Sequence, residues 1–239
     1  VPRPEPPSPR ATSDLLLNRR ARSILAALRR ARPDALIELD HRSPFELLVA
    51  TILSAQCTDA RVNKVTPALF KAYPDARALA DADPADLENL IRSTGFFRAK
   101  ARSLLGASRA IRDDHGGDVP RTMEEMGRLP GVGRKTANVV LGGAYGVPSG
   151  VVVDTHVKRV ARRLRLTRHA DPKRIEEDLM SLFPRRGWIF ASIALVLHGR
   201  YVCVARAPRC PACALRRLCP SRTLGGLAPL RRPPGRDRD

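Results

Sequence analysis

Apolar positions recur along this chain at helical spacing. Asp14 reads as the cap of a first helix running to Arg30. Ser43-Pro44 opens a second, with Phe45, Leu47, Leu48 and Ile52 as one buried stripe. Thr58 or Asp59 starts a third that reaches Tyr73. Asp83-Pro84 pairs a cap with proline at the first helical position, and the helix carrying Leu87, Leu90 and Ile91 stops at Gly95. Lys100 to Arg112 is amphipathic and ends near Gly116-Gly117, and Thr122 with Glu125 three residues on has the pattern of a capping box. Segments 155–166, 172–182 and 187–201 keep the same period. Strand-type alternation is nearly absent, since Val151-Val152-Val153 is too short to build a sheet. The expected fold is all-α.

The two ends break this pattern. Pro2, Pro4, Pro6, Pro7 and Pro9 are too many for a helix, so residues 1–13 are expected to form a disordered tail. Residues 221–239 mix Arg, Pro and Gly and are expected to be a disordered basic tail. The most apolar stretch, Trp188 to Leu197, falls far short of the ~20 residues a membrane span needs. No basic region followed by an apolar run opens the chain, so the expectation is a cytoplasmic protein with no membrane partner.

Charge narrows the class of partner. Of 239 residues, 43 are Lys or Arg against 24 Asp or Glu, a formal net charge of +19. The tails hold only +1 and +3 of it, leaving +15 on the body between them. Arg outnumbers Lys 37 to 6, which a GC-rich gene would explain. That bias does not explain the excess of cations over anions. An enzyme of small molecules has little use for such a charge, whereas a polyanion partner accounts for it through phosphate neutralisation and counterion release.

Three motifs carry candidate chemistry. Leu129-Pro130-Gly131-Val132-Gly133-Arg134-Lys135 lies between two helical segments. Two glycines one residue apart permit a tight hairpin with bare backbone, and the amides opening the next helix favour an anion. The plainer reading is an ordinary helix–helix turn. Lys135 follows directly. As a nucleophile it needs its amine unprotonated, and a helix N-terminus, the adjacent Arg134 and partial burial would all favour that form. Read by itself, it is more simply a phosphate contact. This chain uses Arg for most of its surface cations, so a lysine here points to chemistry that Arg cannot do. Asp154 follows Val151-Val152-Val153 at the start of a helix. It can be a plain N-cap, or a base or charge stabiliser working with Lys135.

The third motif is Cys203, Cys210, Cys213 and Cys219, spaced C-x6-C-x2-C-x5-C within 17 residues. Four of the five cysteines fall here, which in a reducing compartment means metal rather than disulfides. Four thiolates suit either zinc or an iron–sulfur cluster, and the spacing leaves both open. Cys57 is expected to be an ordinary core residue.

Taken together, these residues resemble the endonuclease III family of bacterial DNA glycosylases over nearly the whole body. Leu53-Ser54-Ala55-Gln56-Cys57-Thr58-Asp59, the stretch LPGVGRKTANVV from Leu129 to Val140, Val153-Asp154-Thr155-His156 and the cysteine spacing match in the family's order. The resemblance implies a 4Fe–4S cluster on the four cysteines. It implies a six-helix lobe over 37–147 containing the helix–hairpin–helix, and a cluster lobe built from 14–36 and 148–220. Lys135 and Asp154 would be catalytic and face each other across the cleft between the lobes. Gln56 would fill the hole left by a flipped base, and Phe96 would be the wedge, with Phe97 the lesser candidate. Gly131, Val132, Gly133, Arg134 and His156 would contact DNA, as would Arg206, Arg209, Arg216 and Arg217 on or beside the cysteine loop. The implied partner of a monomeric enzyme is double-stranded DNA with damaged bases or abasic sites.

The implied activity is that of a bifunctional glycosylase and lyase on oxidised or damaged pyrimidines, acting through a lysine Schiff base. Two features depart from the family's pattern: one extra residue between Lys135 and Asp154, placed at Ser149-Gly150, and Phe96 where an aliphatic wedge is more usual. Three other readings stand beside it. A monofunctional adenine glycosylase would place a glutamate where Ile52 stands, lack the lysine and need a further C-terminal domain. A non-catalytic helix–hairpin–helix module would need the cationic surface but neither Lys135 nor Asp154. A zinc-stabilised structural protein would need only the four cysteines.

Overall fold

A computed structural model describes residues 9–222, with side chains from residue 14 onward. Of the two tails expected to be disordered, residues 1–8 and 223–239 lie outside the described residues. The first helix starts earlier than expected: α1 runs Pro9–Ala31, so Asp14 lies inside it and does not cap it. Proline lacks an N–H, but the first helical position has no partner for one, and the ring presets a helical φ. Proline density marked residue 14 as the boundary, whereas Pro9 itself opens the helix.

Then follow α2 (Pro44–Leu53), α3 (Asp59–Ala72), α4 (Ala76–Ala80), α5 (Pro84–Ile91), α6 (Phe97–Asp114), α7 (Met123–Arg128), α8 (Arg134–Tyr145), α9 (Thr155–Arg163), α10 (Pro172–Leu182) and α11 (Trp188–Tyr201). Single 3-10 turns occur at Arg92–Thr94, Arg185–Gly187, Cys210–Ala212 and Arg216–Leu218. Among the described residues there is no β-strand, and no single helix is long and apolar enough to cross a membrane.

Short polar side chains set most of the starts. Ser43 accepts from the Glu46 amide at 3.1 Å, Asp83 from Ala85 and Asp86, and Asp171 from Arg174, each satisfying an amide that the first helical turn leaves unpaired. Thr122 caps α7 through the Glu125 amide at 3.2 Å. Its capping box is incomplete, because Glu125 Oε2 accepts from the Thr122 hydroxyl and not from the Thr122 amide. α6 begins three residues before the expected Lys100 and has no side-chain cap. The five-residue α4 was not anticipated, since little more than one turn shows no period; with it, seven α-helices and one 3-10 turn lie between residues 37 and 147.

Two buried clusters organise these helices. One gathers Leu47, Leu48, Leu69, Leu87, Leu104, Ile111, Met126 and Leu141 from α2 to α8. The other gathers Ile24 and Leu28 of α1 with Val157, Val160, Ile175, Leu179 and Leu195, so both ends of the described chain share one core. Fully burying each such side chain contributes about 1.5–3 kcal/mol.

Polar ties join helices of the two clusters. Arg200 of α11 donates to Glu38 at 2.6 Å and to Asp59 of α3 at 2.5 Å. Arg134 of α8 pairs with Glu176 of α10. A cleft bordered by Glu38, Asp59 and Arg200 is walled by residues of α2, α8 and α11 and by the segment leading into α9.

Candidate active site

The hairpin between α7 and α8 is shaped by its glycines. Gly131 has φ +77, and a Cβ there would also collide with the Ser103 side chain of α6, so both backbone and packing require glycine. Val132 is buried and anchors the turn, its amide donating to the Leu129 carbonyl at 3.1 Å. Gly133 faces open space at the N-cap of α8, and no side chain caps that helix. The first amides of α8 are therefore left to an incoming acceptor, next to the positive end of the helix dipole.

Lys135 stands in the first turn of α8, exposed, and lines the cleft. Asp154 lines the same cleft, half-buried. Asp154 is also an N-cap: its Oδ1 accepts from the Val157 amide at 2.7 Å, and its backbone is extended, as a cap requires. One carboxylate thus starts α9 and faces the lysine's cleft.

Arg134 does not stand free beside Lys135. Its Nε and Nη2 donate to the two carboxylate oxygens of Glu176 at 2.7 and 3.0 Å, and these bonds hold the guanidinium further above its ordinary pKa. Asn138, buried on the same face of α8 one turn on, donates to Glu176 Oε1 at 2.9 Å. Ser149 donates to Asn138 Oδ1 at 2.8 Å, and Gly150 packs so closely on Glu176 that no Cβ would fit. The Ser149-Gly150 stretch, where one extra residue was counted, is drawn into this network and lines the cleft at Gly150. Glu176 and Asn138 were not identified from the sequence. Arg134 and Asn138 at i and i+4 offered a faint signal of a shared face, but Glu176 lies 42 residues from Arg134.

Gln56 and Phe96 do not line the cleft. Gln56 lies two residues beyond Ser54, which does. Both are exposed, Phe96 by 67%, and both have left-handed backbones, with φ 52 and 49. Such conformations are costly for non-glycine residues and gather where loops are held for function. Phe97, the lesser candidate, is instead half-buried against the first core and flanked by the guanidinium groups of Arg92 and Arg98. His156, in the first turn of α9, is half-buried with Nδ1 3.2 Å from Arg159 Nη2.

Cys203, Cys210, Cys213 and Cys219 line the walls of one small cavity, and none is in a disulfide. Burial pushes the Cys213 and Cys219 thiols up. His198 Nε2 lies 3.6 Å from Cys213 Sγ, and burial, with Arg32 nearby, lowers its pKa to about 4, so the imidazole is neutral at pH 7. Three arginines outside the loop hold its backbone. Arg163 donates to the Val204 and Ala205 carbonyls at 2.7 and 2.8 Å, Arg159 to Cys203 O at 3.0 Å and Arg20 to Leu218 O at 3.4 Å. These three were missed because no motif marks them. Arg206, Arg209, Arg216 and Arg217 are all exposed on the loop itself.

Residues 49–185 match the family model of the HhH-GPD superfamily of base excision DNA repair proteins. The chain is 58% identical to endonuclease III of Synechocystis sp. over 202 residues, which is 84% of this chain and 92% of the relative. It is 39% identical to endonuclease III of Escherichia coli over 196 residues, covering 82% and 92%. A solved structure of a trapped endonuclease III–DNA covalent intermediate, the estranged-adenine complex, superposes with a TM-score of 0.81 at 44% identity, over 85% of this chain and 96% of that one. The chain belongs to the endonuclease III family.

Membership of the endonuclease III family makes this a bifunctional base excision repair enzyme, glycosylase and lyase in one chain. Where a monofunctional adenine glycosylase would place its glutamate, Ile52 is buried in α2 at 6% exposure. An ionised carboxylate there would be desolvated in an apolar core.

Proposed function

We propose that this enzyme removes oxidised or damaged pyrimidines from double-stranded DNA and cuts the strand through a Schiff base on Lys135. The observation that carries this reading is the shared cleft. An exposed lysine directly after an uncapped hairpin faces the same space as a carboxylate held in place by its own N-cap bond. The hairpin amides hold a backbone phosphate, which fixes the flipped nucleotide against Lys135. The Lys135 amine attacks C1′, the C1′–N bond to the base breaks, and the base leaves with a proton. Asp154 stabilises the positive charge that develops at the sugar and helps move protons. The C1′–O4′ bond then breaks, with a proton passing to O4′, and the opened sugar is left as an imine on Lys135; the imine acidifies C2′, loss of a C2′ proton breaks the C3′–O bond, and water then frees the lysine.

The four cysteines fit a 4Fe–4S cluster. All the donors are thiols, none is in a disulfide, and the four line one cavity. Such a cluster, when bound, fixes the loop and is structural or DNA-sensing rather than catalytic. The loop's exposed Arg206, Arg209, Arg216 and Arg217 then contact phosphates. Purified protein is expected to be yellow-brown, with about four irons per chain and little zinc. Elemental analysis checks this, and a colourless, zinc-loaded, active enzyme contradicts it.

The substrate reading is tested on a panel of duplexes, each with one lesion. Damaged pyrimidines and pre-formed abasic sites are expected to be nicked, and intact duplex and mispaired adenine left alone. Base release without a nick would place the enzyme with the monofunctional glycosylases.

A further inference from the structure

Lys100 is a buried cation that the chemistry above does not use. It is 5% exposed, and among the described residues it makes no ion pair. Its Nζ donates instead to two backbone carbonyls, Leu53 O at 2.8 Å and Thr94 O at 2.7 Å. Burying an ammonium without a carboxylate partner is costly, and burial holds this pKa below its ordinary value. The two acceptors explain how the site tolerates it. Leu53 ends α2 and Thr94 ends the Arg92–Thr94 turn, so both carbonyls are terminal groups carrying the negative end of a helix or turn.

The position of these carbonyls along the chain carries the inference. Three residues past Leu53 is Gln56, and two past Thr94 is Phe96. Among the described residues only four non-glycine positions have left-handed backbones, and Gln56 and Phe96 are two of them. The backbone of Lys100 also meets the second loop, its amide making the first helical bond of α6 to Phe96 O at 3.1 Å. One side chain therefore ties together the roots of both loops that present these exposed, strained residues. A lysine kept only for core packing would be served as well by methionine, with no charge to bury.

We propose that Lys100 is a positioning residue that couples Gln56 to Phe96, holding their loops at one fixed separation so that both side chains enter the duplex as a single unit. This rests on the reading of Gln56 as the residue that fills the vacated base position and Phe96 as the wedge. Loss of either member leaves the other less effective, because the gap opened by one is held by the other.

A double-mutant cycle tests this in the full-length holoenzyme. Gln56→Ala, Phe96→Ala and the double variant are made in the parent and again in Lys100→Met, which keeps the length and apolar stem but removes both side-chain hydrogen bonds. Two readouts are taken: the rate of base release from a damaged-pyrimidine duplex, and the fluorescence of an adenine analogue opposite the lesion, which reports insertion without any chemistry. In the parent the two single changes are expected to be non-additive, with a coupling factor of about fivefold or more; in Lys100→Met that factor falls to about one. Lys100→Met itself slows base release by about tenfold or more, as expected for misplaced contacts, while nicking at a pre-formed abasic site, which needs no base extruded, changes little.

Coupling that persists in Lys100→Met overturns the role of Lys100 and leaves the Gln56 and Phe96 reading intact. Single changes that alter neither fluorescence nor base release in the parent overturn that reading and the proposal with it. If Lys100→Met does not fold, Lys100→Gln, whose amide can still serve one carbonyl, carries the same cycle and must show a reduced coupling factor; an unreduced one overturns the proposal.

Discussion

Glu176→Ala is expected to lower the unfolding free energy by about 3 kcal/mol, an effect set by three hydrogen bonds lost together. The Glu176 side chain is only 7% exposed and accepts from Arg134 Nε, Arg134 Nη2 and Asn138 Nδ2. Arg134 is 47% exposed, so its orphaned guanidinium can turn toward water and its share of the loss is discounted. Asn138 is 4% exposed and cannot, so its amide is left without an acceptor. Gly150 packs onto the same carboxylate, and the methyl group of alanine leaves a void there. Glu176→Gln retains an acceptor oxygen for Asn138 and nearly the same volume, and is expected to cost about 1 kcal/mol. Denaturant unfolding of the cluster-containing protein measures both. A change within about 0.5 kcal/mol for Glu176→Ala would mean that the network does not hold α8 to α10.

These contrasts show what the chain reveals about itself and what it conceals. Ser43, Asp83, Thr122 and Asp171 were legible as helix starts because a cap acts on amides two or three residues away. The hairpin was legible because Gly131 answers a local demand of the backbone, its φ of +77. Pro9 was misread because a first helical position tolerates proline, which composition does not show. The short α4 was invisible because a single turn has no period.

Long-range pairs were hidden altogether. Nothing near Arg134 marks Glu176 as its partner, and nothing near Lys100 shows that its ammonium meets the carbonyl of Leu53, 47 residues away. The meeting of Lys135 and Asp154 in one cleft was likewise beyond residue spacing. It came from the family resemblance, and both side chains do line that cleft. The separation of the two hydrophobic clusters, one of them drawing on both ends of the described chain, is a tertiary fact that periodicity cannot carry.

Lys135→Arg is expected to abolish strand cutting, a loss of about a thousandfold or more, while duplex affinity stays within about threefold of the parent. Arginine keeps the cation beside the hairpin but offers no usable free amine. Lys135 is exposed in the first turn of α8 and takes no part in the Glu176 network, so the fold should not suffer. Asp154→Asn separates the two roles of that carboxylate. Asparagine caps a helix about as well as aspartate, so the bond to the Val157 amide survives and stability changes little. Without the carboxylate charge, base release is expected to slow by about a hundredfold or more.

The most direct test of the whole account is borohydride trapping on a damaged-pyrimidine duplex. Reduction should convert the imine into a stable protein–DNA adduct in the parent enzyme. The account predicts that this adduct forms readily, maps to Lys135 by peptide mass analysis, and disappears in Lys135→Arg although that variant still binds the duplex. An adduct that persists undiminished in Lys135→Arg, or one that maps to another amine, would contradict it.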